Sequence, residues 1–289
     1  MKSGIPFHGL SKATATDYVV NVGLGTPKKE FPLLFDTGSG LIWTQCKPCK
    51  PCYRNAPVFD PTKSTSFKPI PCSSKQCQTI EDAECSSSKC SYKITYVDND
   101  TCKGIYAMET ISFKPLNYEF KNILIGCSDQ ISGDLDEENS GAPSSTGYLT
   151  FGSEVSKDVK FSPVSKRAPP SDYDIEMTGI RVGGRTRLID TSVFKIRCTI
   201  DSGTVFTYLP PKAYSVLRSM FREMMKGEVE VDIDVSGIMV RVDESKEYCL
   251  AFAALDDEVA VLGNTQQRTY TVVYDGAKER IGFAPGGCD

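Results

Sequence analysis

Histidine is the scarcest chemistry-bearing residue in this 289-residue chain: there is one, His8, in a Gly/Ser/Pro-containing stretch near the start. A Ser-His-Asp or Cys-His nucleophile, or a His-rich metal site, would have to rest on that single side chain. Termini are usually poorly anchored, so His8 reads as solvated rather than as catalyst or ligand. No apolar run approaches the roughly 18 residues of a membrane-spanning helix. Charge of one sign is lacking too: 33 Lys and Arg face 37 Asp and Glu, net −4, which gives no electrostatic reason to bind nucleic acid. The opening residues KSGIPFHGLSKATATDYVV have neither the apolar stretch nor the cleavage pattern of a secretion signal. The expectation is a mature fragment with a start methionine, an incomplete reading frame, or a chain that is not secreted; the cysteines favour the first two.

Those cysteines number twelve, too many for a typical cytosolic chain of this size, and they point to an oxidising compartment. With 40% hydrophobic residues, 14 Phe and 13 Tyr, disorder is excluded as the main state. At about 100–200 residues per domain the length suggests two domains. The 23 glycines and 17 prolines recur throughout as turn punctuation, the pattern of a mostly β protein.

Apolar runs at Tyr18–Val22 and Phe31–Phe35 flank a Gly23–Pro27 turn, and strand character returns at 92–96, 111–113 and 123–125. Between them, residues 46–90 hold seven cysteines among Pro and Ser, a stretch expected to be shaped by cross-links more than by core. Residues 128–147 are acidic and small, and read as a solvated loop rather than a metal site. One helix is expected where Pro210-Pro211 precede Tyr214, Leu217, Phe221 and Met224, with Gly227 able to close it.

The informative feature is a pair of similar segments 165 positions apart. Phe31–Phe35 delivers Asp36-Thr37-Gly38-Ser39, and Cys198–Ile200 delivers Asp201-Ser202-Gly203-Thr204. Val22-Gly23-Leu24-Gly25-Thr26 precedes the first, Val182-Gly183-Gly184-Arg185-Thr186 the second; Leu41-Ile42-Trp43 and Val205-Phe206 follow them. A single Asp-hydroxyl-Gly is a common structural turn. Two in matched surroundings suggest two related lobes, each giving one Asp to a shared cleft. Glycine lets backbone N–H groups approach each carboxylate, and the hydroxyls of Thr37 and Ser202 can bond neighbouring backbone to fix it. Two carboxylates in contact share a proton, so one can activate water while the other protonates a carbonyl. Such a site splits an amide without histidine, metal or covalent intermediate. The Cys46-x2-Cys49-x2-Cys52 spacing resembles part of an iron–sulfur or zinc motif, but no suitably spaced fourth cysteine or histidine follows, so no metal or other cofactor is expected.

The two Asp motifs resemble the signatures of pepsin-like aspartic proteases. YVVNVGLGTPKKEFPLLFDTGSGLIWTQC, IDSGTVFTYLPPKAYSVLRSMF and VLGNTQQRTYTVVYDGAKERIGFAPGGCD resemble the plant nepenthesin-like branch, also described as chloroplast-nucleoid-DNA-binding-protein-like. The resemblance implies a mostly β, bilobal fold with a few short helices, a lobe of residues 1–160 and another of 161–289. It implies Asp36 and Asp201 as the catalytic dyad, and Tyr96 as the flap tyrosine that closes over substrate, supported by Trp43. Gly38, Ser39, Gly203 and Thr204 would line the cleft. It implies an acid-active endopeptidase acting as a monomer on peptide or protein substrates, without nucleic acid or membrane span, in the secretory pathway, extracellular or vacuolar. It also implies pairing of Cys46 with Cys49, of Cys52 with Cys127, and of Cys72, Cys77, Cys85 and Cys90 among themselves. Cys249 and Cys288 would be left to pair with each other, and Cys102 and Cys198 are additional.

Three departures stand out. The family braces its first Asp loop with a Gly-Leu-Leu-Gly-Leu-Gly-like strand after the segment seen here as Ile125-Gly126-Cys127. In this chain SDQISGDLDEENSGAPSST runs straight into GYLTFGS, so roughly a few dozen residues are missing by that comparison. The second lobe keeps Val261-Leu262-Gly263 but is shorter between Gly227 and Tyr248. The flap sequence Tyr96-Val97-Asp98-Asn99-Asp100 lacks the usual glycine. Losing a buried strand exposes apolar surface and unpairs backbone groups, costing several kcal/mol out of a total of about 5–15. A second reading therefore stands beside the first: a shortened, inactive relative that binds peptides or proteinaceous inhibitors, or has no function.

Overall fold

The computed structural model describes residues 5–9, 18–52, 56–80, 83–96, 99–113, 118–132, 147–152, 155–168, 172–182, 185–187, 196–224, 237–241 and 248–286. In chain order the first lobe comprises β1 (Ile5–Gly9), β2 (Tyr18–Leu24), β3 (Lys29–Leu34), β4 (Trp43–Gln45), β5 (Lys68–Pro69), α1 (Lys75–Thr79), β6 (Glu84–Ser86), β7 (Lys89–Thr95), β8 (Thr101–Phe113), β9 (Tyr118–Ser132) and β10 (Gly147–Leu149). The second comprises β11 (Lys160–Pro163), β12 (Asp174–Met177), β13 (Ile180–Val182), β14 (Arg185–Arg187), β15 (Ile196–Ile200), β16 (Thr207–Leu209), α2 (Pro211–Met224), β17 (Met239–Arg241), β18 (Tyr248–Leu250), β19 (Phe252–Ala254), β20 (Ala260–Leu262), α3 (Asn264–Gln267), β21 (Tyr270–Asp275) and β22 (Arg280–Pro285). No described helix is long and apolar enough to cross a membrane.

Valine-rich β2 pairs with β1, β3 and β8 and turns Val20, Val22 and Leu24 into the core, with Asn21 exposed on the opposite face. That core joins Val20, Val22, Leu24, Phe31, Phe59, Ala107, Ile111 and Ile125. β8 and β9 form a long antiparallel ladder with irregularities at Lys103/Gly104 and Glu109/Ile111, where the pairing shifts and the ribbon bends. In the second lobe the strand order is β12-β15-β20-β16-β19, with β20 parallel to β15 and antiparallel to β16. Helix α2 begins with Pro211 and buries Ala213, Leu217 and Met220 at spacings of four and three, sealing the core around Ile200, Leu209 and Ile281. Gly227, expected to end this helix, lies outside the described residues.

Several expectations are corrected. The stretch around His8 is anchored by backbone pairing: β1 lies between β10 and β2, Ile5–Phe7 opposite Gly147–Leu149 and His8 opposite Val19. Residues 128–132 are strand, not loop; β9 continues along β8 and buries Ile131 opposite Cys102. Residues 133–146 of that expected loop lie outside the described residues. The cysteine-rich stretch does reach the interior, placing Ile70, Cys77 and Cys90 in a third cluster with Tyr92 and Tyr106.

The disulfides differ from the implied pairing. Cys46 joins Cys127 and Cys49 joins Cys52, because β4 runs parallel to β9 with Thr44 opposite Cys127, bringing Cys46 to a Cα separation of 5.4 Å from Cys127. Cys72–Cys85 and Cys77–Cys90 keep the other four among themselves. Cys102 and Cys198 are buried thiols, and burial pushes them up to about 11 and about 12 respectively. Cys249 is an exposed thiol, and Cys288 lies outside the described residues.

Candidate active site

Each Asp leaves the end of a strand and turns at once. After β3, the Phe35 N–H still donates to Tyr18 at 2.7 Å, and Asp36 follows. After β15, the Asp201 N–H donates to the Leu262 carbonyl at 3.1 Å. Within each loop the same bonds hold the carboxylate. The Gly38 N–H donates to Asp36 Oδ1 at 2.7 Å and the Ser39 hydroxyl to Oδ2; the Gly203 N–H donates to Asp201 Oδ1 at 2.8 Å and the Thr204 hydroxyl to Oδ2 at 2.5 Å. The last two residues of each motif therefore act as carboxylate holders.

Thr37 and Ser202 do something other than brace their own loops. The Thr37 hydroxyl donates to the Ile200 carbonyl at 2.7 Å and accepts from the Ser202 N–H at 3.0 Å. Reciprocally, the Ser202 hydroxyl donates to the Phe35 carbonyl at 2.6 Å and accepts from the Thr37 N–H at 3.1 Å. Both side chains are buried. These four crossed bonds clamp one lobe's loop to the other's, so the position of each Asp depends on both halves.

The clamp brings the carboxylates together. A methyl group at Gly38 would fall 2.5 Å from Asp201 Oδ2, and one at Gly203 would fall 2.6 Å from Asp36 Oδ1. Only glycine leaves that space. Asp201 is pushed up to about 6: burial is the main cause and the charge and hydrogen bond of Asp36 add to it, against the Thr204 hydroxyl and Gly203 N–H, which favour the ionised form. Burial and the facing Asp36 carboxylate thus both favour the protonated form of Asp201.

Tyr96 directly follows β7 at the tip of the β7–β8 hairpin, its N–H donating to the Asp100 carbonyl at 2.8 Å. Its hydroxyl accepts from Trp43 Nε1 at 2.7 Å, linking the hairpin to the strand that follows the first Asp loop. Asn99, with φ of 72°, supplies the left-handed turn residue where the sequence has no glycine. Val97 and Asp98 lie outside the described residues.

Three residues were not singled out from the sequence. Tyr274 sits beneath the clamp, its hydroxyl 3.4 Å from that of Thr37 and bonded to Gln267 at 3.2 Å; burial raises its phenol far above the ordinary range. Asn264 is wholly buried and donates its side-chain amide to the Ser202 carbonyl at 3.2 Å. Gln267 donates to the Leu262 carbonyl, joining Tyr274 to β20. No short motif or periodicity in the sequence marks any of the three.

The lobes are not equal. β20 fills the gap between β15 and β16, whereas no described strand lies between β3 and β4, and Leu34 and Ile42 there are 48% and 44% exposed.

Family comparison matches the same plan. Residues 18–154 match the family described as xylanase inhibitor N-terminal, and residues 172–236 and 224–285 match the one described as xylanase inhibitor C-terminal. The chain is 36% identical to Aspartyl protease AED1 of Arabidopsis thaliana, over 94% of this chain and 72% of that protein. The chain belongs to the pepsin-type aspartic protease family. Aspartic proteinase nepenthesin-2 and nepenthesin-1 of Nepenthes gracilis are 28% and 27% identical over 94% of this chain and 78% of their own. The match to AED1 runs over 339 positions, more than the 289 residues here, so that pepsin-type relative carries segments this one lacks.

Proposed function

We propose that this protein is an aspartic endopeptidase that hydrolyses peptide bonds by a water held between Asp36 and Asp201. The observation that carries the reading is the contact of two carboxylates from opposite lobes, one of them with its proton affinity raised. Asp36 takes a proton from the water as its oxygen bonds to the scissile carbonyl carbon, and Asp201 gives its proton to the carbonyl oxygen. Collapse of the gem-diol intermediate breaks the C–N bond: one diol hydroxyl returns its proton to Asp201 as the new carbonyl forms, the amine leaves with the proton from Asp36, and the dyad is again singly protonated. Gly38, Ser39, Gly203 and Thr204 line the cleft, and Tyr96, held by Trp43, closes over an extended peptide. The four described disulfides support an extracellular or vacuolar setting.

The test is cleavage of an unfolded protein at about pH 3–5 with and without a pepstatin-type transition-state mimic. Cleavage is expected, blocked by the mimic and lost in Asp201→Ala; cleavage that survives the substitution overturns the reading. The exposed Leu34 and Ile42 beside the first Asp loop favour a second reading, a relative that binds peptides or proteinaceous inhibitors without turnover. A folded protein that binds the mimic and cleaves nothing would select it.

A further inference from the structure

The two lobes can be compared atom by atom where each Asp loop meets its sheet. In the second lobe β20 supplies the partners: the Leu262 carbonyl accepts from the Asp201 N–H at 3.1 Å, Asn264 N–H donates to the Thr204 carbonyl at 2.7 Å, and Thr265 N–H to Val205 at 3.2 Å. The Asn264 side chain reaches the Ser202 carbonyl. The matching groups of the first lobe are the Asp36 N–H and the carbonyls of Ser39, Gly40 and Thr37. Among the described residues none of these four has a backbone or side-chain partner. Side-chain exposure follows: Ile42 is 44% exposed, whereas its counterpart Thr207 is 2%.

We propose that this edge is a strand-acceptor site, taking from another polypeptide an extended segment of the pattern aliphatic–aliphatic–Gly–Asn–Thr. An aliphatic pair would cover Leu34 and Ile42, and a carbonyl would meet the Asp36 N–H. Glycine is specified because in the second lobe a methyl group at Gly263 would fall 2.3 Å from the Phe206 carbonyl oxygen, and Leu41 holds the matching position. Asparagine and threonine bring N–H groups to the loop carbonyls. Such pairing draws affinity from main-chain bonds and specificity from alternate side chains. The segment 133–146, acidic with Leu135 as its one large aliphatic residue, does not have this pattern. The site uses backbone groups of the Asp36 loop rather than the side chains proposed to meet substrate, and its test uses no turnover.

The probe is the capped hexapeptide Ala-Val-Leu-Gly-Asn-Thr, the sequence of residues 260–265, added to the full chain at neutral pH. Readouts are amide exchange at Asp36–Ile42 and the emission of Trp43, the one tryptophan, adjacent to Ile42. Saturable binding is expected, with about tenfold slower exchange at Asp36 and about tenfold weaker binding by Ile42→Asp. A saturating pepstatin-type mimic, which itself touches the Asp36 loop and the Tyr96–Trp43 pair, should shift the starting values and leave the peptide's affinity unchanged. The proposal is overturned by no slowing at about 1 mM peptide. It is equally overturned by equal slowing with a scrambled or Gly→Ala peptide, by displacement with the mimic, or by protection that depends on protein concentration and so reports a second copy.

Discussion

At Asp201, burial and the neighbouring carboxylate both favour the protonated form, with two consequences for pH. The folded protein binds this proton up to about pH 6, the unfolded chain only to near 3.8. Between these values the folded state holds more protons than the unfolded one, so the stability contribution falls as pH rises through the window. Melting temperatures of wild type and Asp201→Asn from pH 4 to 7 should therefore diverge, the wild type losing ground to the variant as pH rises. Catalysis by the singly protonated pair should fade above about pH 6, and Asp201→Asn should lower kcat by about 10²–10⁴-fold. A second residue-scale test concerns the Trp43–Tyr96 hydrogen bond. Trp43→Phe and Tyr96→Phe should each reduce kcat/KM several-fold, and the double variant should lose little more than either alone, giving a coupling of about 1 kcal/mol.

Among the elements, the crossed loops after β3 and β15 carry the most closely coupled hydrogen bonds. Thr37→Val leaves the Ile200 carbonyl and Ser202 N–H without their partner in a buried place, a loss of about 2–4 kcal/mol measurable by urea unfolding with the m-value unchanged. The strands that deliver both aspartates were legible in sequence because each is an apolar run ending in a distinctive tetrapeptide. The helix was legible because its prolines and apolar spacing agree. What Thr37 and Ser202 bind was not: a hydroxyl beside an Asp suggests a local turn, and only the packing of two lobes reveals that its partner lies 163 or 167 residues away. Tyr274 and Asn264 were hidden for the same reason, since long-range polar contacts leave no periodic trace. The pairing of Cys46 with Cys127 likewise depends on the parallel register of β4 and β9, which no spacing of cysteines encodes.

Across the whole molecule, the Cys46–Cys127 bond ties the strand after the first Asp loop to the long β9, closing a separation of 81 residues. Replacing both cysteines by serine should cost about 4 kcal/mol in denaturant unfolding, a large part of the margin of a typical domain. Peptide mapping under non-reducing conditions should recover Cys46 with Cys127 and Cys49 with Cys52. The reciprocal hold of Thr37 and Ser202 has a reach beyond stability. Neither half of the chain fixes its own aspartate unaided, so a change that reshapes one loop is inherited as a problem by the other. The halves of this molecule can drift only in step.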